Sequence, residues 1–347
     1  MAEKIYIFQC FLYGFSAMIR ILIRFQLIGL LFTISCQTLD GNQIIFQKPS
    51  GEIQLSFAVA SDMREKTGKK IYYFRGICQM LQDGGPGDFM VSPGDIDPPD
   101  STYQTIRRYI HPEYPWYAGV GNHDAKTPYD MTWLREYNRH GQTLPHIIHA
   151  GPLNGIETTY SFEYGDAHFI LLNEYYDGQS DCDTDGDIGD ALYTWLLQDL
   201  QQNEKPLIFV FGHEPAYPQP DQESGRYRHV NECLDKYPAH RDRFWQLLKD
   251  NKVIAYICGH THNYSVREFE GVWQIDAGHA RGIADSGARS TFILFYIMKD
   301  LTVWHYTYRI NFSTYNYELT EYRKLHDPRN STRLSRNYAG RRCCKTP

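Results

Sequence analysis

Five short apolar runs stand out along the chain, and a residue with a metal-binding side chain follows each of them. With their polar ends, the runs cover residues 57–62, 89–95, 116–122, 207–213 and 253–262. Short apolar runs that are rich in β-branched and aromatic residues and bounded by Gly, Pro or Asp are typical of buried β-strands. The pattern therefore predicts five strands, each of which ends at an Asp, Asn or His.

Segments with a helical spacing of apolar residues separate these strands. They are 70–81, 131–137, 191–200 and 241–248, and a further helix is expected to begin at 98–101. Alternation of strands with helices indicates a layered α/β domain. A hairpin turn at Gly165-Asp166 and a β pattern from Ser265 onward add further strands. One domain over residues 53–310 is the simplest interpretation.

The composition is that of a globular protein, and the charge balance disfavours one class of partner. Of the 347 residues, 42% are hydrophobic and 22% are charged, which supplies enough apolar material for a sizeable core. The net charge of −6 gives no sign of a nucleic-acid-binding face, so no nucleic-acid partner is expected. Residues 320–347 are predicted to form a polar, basic tail.

Residues 1–36 have the layout of a secretory signal peptide. Arg20 and Arg24 follow Met18, and an apolar run from Phe25 to Ile34 comes next. This run is about half of the ~20 residues that a membrane-spanning helix needs. We therefore expect an exported protein whose true start is Met18. The alternative is that this segment is an N-terminal helix of the domain.

Cys36 suggests that the exported protein is attached to a membrane through a lipid. A cysteine directly after Ser35 resembles the residue that bacterial lipoproteins acylate, although Thr33 stands where that signal prefers Leu. Acylation at Cys36 would attach the protein to a membrane of the cell envelope. Simple cleavage of the signal would leave it secreted or periplasmic.

The other cysteines form neither a disulfide framework nor a zinc-thiolate pattern. Cys78 and Cys258 lie in apolar runs and are expected in the core. Cys182 and Cys233 lie in polar loops, where an exported protein can pair them. A disulfide between Cys182 and Cys233 is therefore a hypothesis for the structure to test.

The predicted strand ends supply the ligands of a two-metal site. Two divalent ions about 3.5–4 Å apart activate a hydroxide and hold a phosphate, and they need a bridging carboxylate among their protein ligands. Crevices at the carboxyl ends of strands are where open α/β sheets bind ligands. The candidate ligands are Asp62, Asp95, Asn122, His213, His260 and His262.

The order of these motifs resembles that of the calcineurin-like metallophosphoesterases. The motifs here are Ser61-Asp62-Met63-Arg64, Gly94-Asp95, Gly121-Asn122-His123-Asp124, Gly212-His213 and Gly259-His260-Thr261-His262. The resemblance covers about residues 53 to 310. It implies a calcineurin-like four-layer α/β/β/α sandwich with a dimetal site at the C-terminal ends of the strands.

The resemblance also implies a role for each residue. Asp95 would bridge two divalent ions of the Mn, Fe or Zn type. The further ligands would be Asp62 and His262 for the first ion, and Asn122, His213 and His260 for the second. His123 would contact the phosphate of a small phosphoester substrate or protonate its leaving oxygen, as a positioned imidazole can.

Arg64 departs from the family pattern, which usually has a metal-binding His at this position. Arginine stays protonated and has no lone pair to donate to a metal, so the first ion loses a ligand and is expected to bind weakly. Arg64 is suited to contact the substrate phosphate in a bidentate manner. The alternative is an arginine that pairs with Glu65 or Asp97.

Residues 181–192 match the beginning of a calcium-binding loop. Acidic side chains alternate with other residues, and Gly186 is the sixth position. Leu192 occupies the twelfth position, where a bidentate Glu belongs. The candidates for a structural calcium ion are Asp181, Asp183, Asp185 and Asp187. The alternative is an acidic turn at the N-terminus of the next helix, which favours negative charge.

These observations favour an exported, metal-dependent phosphoesterase that hydrolyses a phosphate monoester or diester with a metal-activated hydroxide. The alternative is a catalytically weak or inactive phosphate- or metal-binding surface protein of the same fold. His279 and Arg281 follow the last motif. They either line the substrate cleft or lie in an unrelated loop, and the second interpretation is slightly favoured for His279.

Overall fold

The computed structural model describes residues 46–64, 73–82, 87–96 and 98–329. The predicted signal peptide with Met18 and Cys36, and the alternative Arg64 partners Glu65 and Asp97, lie outside these residues. Within the described part of the chain, no helix has the length and apolar character needed to cross a membrane.

The described residues form thirteen strands and six α-helices. The strands are β1 (Ile53–Val59), β2 (Phe89–Ser92), β3 (Trp116–Ala118), β4 (Ile147–Ala150), β5 (Tyr160–Tyr164), β6 (Ala167–Leu171), β7 (Leu207–Phe211), β8 (Ala255–Cys258), β9 (Tyr264–Phe269), β10 (Val272–Ala277), β11 (Thr291–Met298), β12 (Val303–Ile310) and β13 (Tyr317–His326). The helices are α1 (Phe74–Gln82), α2 (Pro99–Tyr109), α3 (Asn122–Ala125), α4 (Pro128–Tyr137), α5 (Asp190–Gln202) and α6 (Pro238–Asp250).

The strands form two mixed sheets. The first has the order β13-β12-β11-β1-β2-β3, and the second has the order β4-β5-β6-β7-β8-β10-β9. Strands β1, β2 and β3 are parallel to one another, as are β6, β7, β8 and β10. The remaining neighbours are antiparallel. All five strands that the sequence pattern predicted are present, and they lie in these parallel parts.

Aromatic side chains fill the space between the two sheets. Phe57 on β1 stacks on Phe89 and Phe295 of its own sheet, with ring centroids 5.3 and 4.6 Å apart. It meets Phe169 and Phe209 of the other sheet edge to face, at 5.2 and 5.5 Å. Such offset and edge-to-face pairs add about 0.5–1.5 kcal/mol each beyond the burial of their area. This core holds the two sheets in a fixed relative position.

Helices cover the outer faces, because alternate residues of a strand point to opposite sides of its sheet. On β3, Tyr117 belongs to the core between the sheets, whereas Trp116 packs against Tyr103 of α2 and Trp133 of α4. On the second sheet, apolar residues of β7 and β8 pack with the buried faces of α5 and α6. The predicted four-layer α/β/β/α sandwich is confirmed.

The last strand lies beyond the end of the predicted domain. Residues 317–326 form β13 and pair with β12 along its whole length, from Val303 to Ile310. The domain was expected to end at 310 and the polar tail to begin at 320. The sheet continues instead to His326, because Tyr317 and Leu325 of this otherwise polar strand are buried.

The predicted disulfide is absent from the described structure. Cys182 and Cys233 are both free thiols, the first exposed and the second buried. The Cys182 Sγ lies 3.1 Å from the Ser180 hydroxyl, and the Cys233 thiol donates to the His229 carbonyl. The hypothesis of a Cys182–Cys233 bond is therefore wrong for this structure. Cys78 and Cys258 are buried, as expected.

A buried carboxylate joins helix α5 to the edge of the second sheet. Asp199 bonds to His149 of β4 and His168 of β6, both at 2.7 Å, and accepts a hydrogen bond from Ser161 of β5 at 2.6 Å. Burial acts to raise the pKa of Asp199, but the hydrogen bonds from His168, Ser161 and His149 outweigh it and leave the pKa below its usual value of 3.8. The ionised carboxylate therefore stabilises the fold.

We predict that Asp199→Asn lowers the free energy of unfolding at neutral pH by about 2 kcal/mol, because charged hydrogen bonds are lost. The folded pKa is depressed, so this stabilisation is present above the unfolded value and is lost as the pH falls below it. The difference from wild type should shrink between about pH 5 and pH 3 in urea unfolding. The exposed Asp242→Asn is the control, and a difference that is constant with pH would contradict the assignment.

Candidate metal centre

The candidate ligands meet at one edge shared by the two sheets. Asp62, Asp95 and Asn122 follow the parallel strands β1, β2 and β3, while His213, His260 and His262 follow β7 and β8. The turns of each sheet are held side by side: the Asp62 N–H donates to the Gly94 carbonyl at 3.2 Å, and the Gly259 N–H donates to the His213 carbonyl at 2.9 Å. The sandwich thus brings together residues that are up to 200 positions apart.

Asp62 is one of the residues through which the two halves of the centre contact each other. Its Oδ2 accepts hydrogen bonds from the Ser61 hydroxyl at 2.7 Å and from the His260 N–H of the other sheet at 3.0 Å. These donors fix the carboxylate, and its Oδ1 lies 3.4 Å from His262 Nε2. Asp62, Asp95 and His213 each offer a ligand atom within 4.8 Å of the others.

The second half of the cluster is built around His213. Its Nδ1 contacts the Pro93 carbonyl at 3.0 Å, which leaves Nε2 facing Asp95 Oδ1 at 3.6 Å and His260 Nδ1 at 3.2 Å. Two ligand atoms on one ion with bonds of about 2.1 Å lie about 3.0–3.4 Å apart. The spacing between the His213 and His260 nitrogens matches this separation, as does the spacing between Asp62 and His262.

The backbone at these residues adopts a conformation that side chains rarely tolerate. Asp62, Asp95, His260 and His262 have φ angles of 52°, 53°, 65° and 59°. Left-handed backbone at non-glycine residues costs about 1–3 kcal/mol each and clusters at functional sites. At Gly121 a Cβ would collide with Asp95, so only glycine allows the third turn to approach the second.

The electrostatics of the cluster favour a bound cation. Burial and the nearby Asp95 carboxylate raise the pKa of Asp62 well above its usual value. Burial lowers the pKa of His213 and His260, so both rings are neutral and keep a lone pair. Asp62 Oδ1 is buried with no hydrogen-bond partner among the described residues. Oxygen and nitrogen donors of this kind fit divalent transition metals.

His123 and Asn122 lie at the open side of the cluster. The His123 N–H donates to Asp95 Oδ1 at 2.9 Å, and the His123 ring, which is 39% exposed, lies 4.0 Å from Asp95 Oδ2. Asp124 fixes the conformation of this turn, since its buried carboxylate accepts hydrogen bonds from the N–H groups of Gly121 and Ile96. The arrangement leaves His123 accessible to a ligand that contacts the cluster.

Arg64 lies on the turn of Asp62 and is half-buried. The Met63 N–H, one residue before it, donates to the Asp95 carbonyl at 3.1 Å. The side chain therefore begins beside the cluster, at a position that suits either phosphate contact or support of the turn.

Several residues around the cluster were not predicted from the sequence. Asp285 accepts a hydrogen bond from His262 Nδ1 at 2.8 Å, and Glu174 accepts the backbone N–H of His213 at 2.9 Å. Arg228 Nη1 lies 2.5 Å from the same His262 Nδ1. Asp285 and Arg228 lie in irregular loops without periodicity, so no sequence signal pointed to them.

His279 does not line a cleft. It is fully buried behind His262, with ring centroids 5.6 Å apart, and its Nε2 contacts the Ala288 carbonyl at 3.1 Å. Its Nδ1 accepts the backbone N–H of Arg281. His279 is therefore a packing residue of the centre rather than a substrate contact.

The calcium prediction is not supported by the structure. Asp181 pairs with Arg135, Asp185 with Lys236, and Asp187 with His240. The Asp183 carboxylate accepts a hydrogen bond from the backbone N–H of Thr184 at 2.7 Å. Because three of the carboxylates turn toward three different cationic side chains, the four do not surround a common point. Those partners are distant in sequence, which explains why the pattern suggested an ion instead.

Comparisons with known proteins identify a family. The sequence model of the calcineurin-like phosphoesterase family matches residues 55–264. Among solved structures, GAP50, the anchor in the inner membrane complex of Plasmodium, is 17% identical with a TM-score of 0.50, covering 85% of this chain and 98% of its own. PhoD is 14% identical with a TM-score of 0.50, covering 85% and 78%. These structures share the fold. A comparison with curated proteins found no match.

We predict that Asp62→Asn has opposite effects with and without metal. In chelator the variant should melt at or above the wild-type temperature at neutral pH, because the raised folded pKa of Asp62 means that its buried charge opposes folding. Added Mn²⁺ should raise the melting temperature of the wild type and leave the variant unchanged. Asp250→Asn is the exposed control. An equal gain from Mn²⁺ in both proteins would show that Asp62 binds no ion.

Proposed function

Because the chain belongs to the calcineurin-like phosphoesterase family and is a metal-dependent phosphoric ester hydrolase, we propose that it hydrolyses a small phosphoester outside the cytoplasm. The observation that carries the proposal is the convergence of five Asp and His side chains from two sheets on one edge, beside the turn that carries Asn122. No simpler structural role explains two buried carboxylates beside neutral histidines, with a carboxylate oxygen left without a partner.

We assign the ligands to two divalent ions. The first ion would be held by Asp62, Asp95 and His262, and the second by Asp95, Asn122, His213 and His260. When bound, such ions act as Lewis acids, which lower the pKa of water and polarise phosphoryl oxygens. The proposed first set has one protein ligand fewer than the second, since Arg64 cannot donate a lone pair. We therefore expect the first ion to bind more weakly.

Residues behind the ligands hold their orientation. Asp285 at His262 Nδ1 and the Pro93 carbonyl at His213 Nδ1 each select the tautomer whose Nε2 faces the cluster. Partners of this kind raise the basicity of a ligating histidine and fix its ring. Glu174 adds a further constraint, because it accepts the N–H groups of both His213 and Glu214.

Two residues would act on the substrate directly. His123 is exposed beside Asp95, so its imidazole would contact the phosphate or give a proton to the leaving oxygen. Arg64 would use its planar guanidinium to bind two phosphate oxygens.

We predict that Mn²⁺ restores hydrolysis of p-nitrophenyl phosphate or bis(p-nitrophenyl) phosphate to chelator-treated protein that starts after Cys36. Asn122→Ala should lower kcat/KM by more than about 100-fold, since changes even behind the ligands of metal sites cost about 10–100-fold. The exposed Asn316→Ala should match the wild type. Folded wild-type protein that binds Mn²⁺ but hydrolyses neither ester would favour the alternative of a non-catalytic binding protein.

Export is proposed from the signal-like residues 1–36. Expression in a bacterial host from Met18 should yield protein outside the cytoplasm, and labelled palmitate should be incorporated if Cys36 is acylated. Cys36→Ala should then abolish labelling and release the protein from the membrane fraction. Unlabelled wild-type protein in the periplasm or medium would favour simple cleavage, and full-length protein in the cytoplasm would exclude export.

A further inference from the structure

A short part of the loop after β7 lies across the histidines of the proposed metal centre. This segment, residues 226–232, places Arg228 Nη1 2.5 Å from His262 Nδ1. The ring of His229, the next residue, lies 4.5 Å from the ring of His260. Arg228 and His229 thus contact one proposed ligand of each ion.

Charged contacts hold the loop in place. Asp221 pairs with the fully buried Arg309 at 2.7 Å and accepts the Tyr264 N–H at 3.0 Å. Arg226 donates to Asn263 at 2.9 Å and to Asp285 at 2.8 Å. Asp221 and Arg226 both precede Arg228 in the chain and fix the part of the loop that leads to it. The fold therefore holds Arg228 beside the cluster, and its position is not that of an unconstrained surface side chain.

The contact between Arg228 and His262 cannot persist when His262 binds an ion. With Nε2 on the ion, Nδ1 carries the proton and donates it to Asp285, 2.8 Å away. Arginine has only donors, so its Nη1 cannot bond to a protonated Nδ1. Asp285 lies 3.6 Å from Arg228 but already pairs with Arg226 at 2.8 Å. Beside the proposed ions, the Arg228 guanidinium then keeps only the longer contact with Asp285, which it shares with Arg226.

The charges around Asp285 leave a positive excess. Arg226 and Arg228 contribute two positive charges, Asp285 contributes one negative charge, and an imidazole that binds a metal ion is neutral. The net charge of the group is therefore +1. The Arg228 side chain is 36% exposed, so this charge can meet a ligand from solvent.

On the basis of the function proposed above, we propose that Arg228 binds a non-bridging phosphate oxygen and makes the enzyme selective for phosphate monoesters. A monoester is a dianion with three non-bridging oxygens, whereas a diester is a monoanion with two. Two ions can contact two of these oxygens. The third oxygen and the second charge of a monoester give cationic side chains more to bind than a diester does. A guanidinium suits phosphate, and Arg228 would act there together with Arg64 and His123.

The test compares Arg228→Gln with Arg243→Gln in the Mn²⁺-loaded protein. Arg243 is a matched control, since its side chain is 35% exposed and pairs with Asp190 away from the cluster. For Arg228→Gln, kcat/KM for p-nitrophenyl phosphate should fall about 10–100-fold, because a charged hydrogen bond is lost. For bis(p-nitrophenyl) phosphate the fall should be below about 3-fold. Arg228→Lys should recover part of the monoester activity.

A second readout does not depend on turnover. Calorimetry should show weaker binding of inorganic phosphate to Arg228→Gln in the presence of Mn²⁺, with an unchanged affinity for Mn²⁺ itself. An equal loss for both esters, or a loss of Mn²⁺ affinity, would overturn the proposal and make Arg228 a support of His262. If the wild type hydrolyses neither ester, the proposed function fails. In that case unchanged phosphate binding by the variant overturns the role of Arg228 as well.

Discussion

The hydrogen bond from the His260 N–H to Asp62 Oδ2 joins the two halves of the candidate centre, because the two residues follow strands of different sheets. A metal site built from both sheets exists only if the sheets keep their relative position to within a few tenths of an ångström. The stacked aromatic residues around Phe57 supply that constraint. The core therefore determines the geometry of the site. The stability of the core also offsets the cost of the left-handed backbone and the buried charge at the site.

Uncompensated charge explains most of the unusual features of the site. Asp62 and Asp95 are buried together, and neutral histidines surround them. A protein without a ligand there would be more stable with apolar residues at these positions. A divalent cation removes the conflict, since it neutralises both carboxylates and uses the free lone pairs of the rings. Arg64 bears on the same balance of charge, because a cationic side chain at this position donates no lone pair and would leave the proposed first ion with fewer protein ligands.

Much of the fold could be predicted from the sequence. Each of the five predicted strands is followed by a candidate metal ligand, so the strand pattern and the side-chain chemistry pointed to the same edge. The prediction was wrong where side-chain partners lie far away in the chain. Asp181 forms an ion pair with Arg135, and Asp185 forms one with Lys236. Neither pair can be deduced from local spacing in the sequence. The same limit hid Asp285 and Arg228, which reach His262 from irregular loops.

The central claim is that this edge of the sandwich holds two divalent ions. A crystal structure of the protein grown with Mn²⁺ tests it directly, through anomalous scattering measured at the manganese absorption edge. The account predicts two peaks about 3.5–4 Å apart, with Asp95 between them, Asp62 and His262 at one, and Asn122, His213 and His260 at the other. The weaker peak should be the one beside Arg64. No peak within reach of Asp95, in crystals that contain Mn²⁺ elsewhere, would contradict the account.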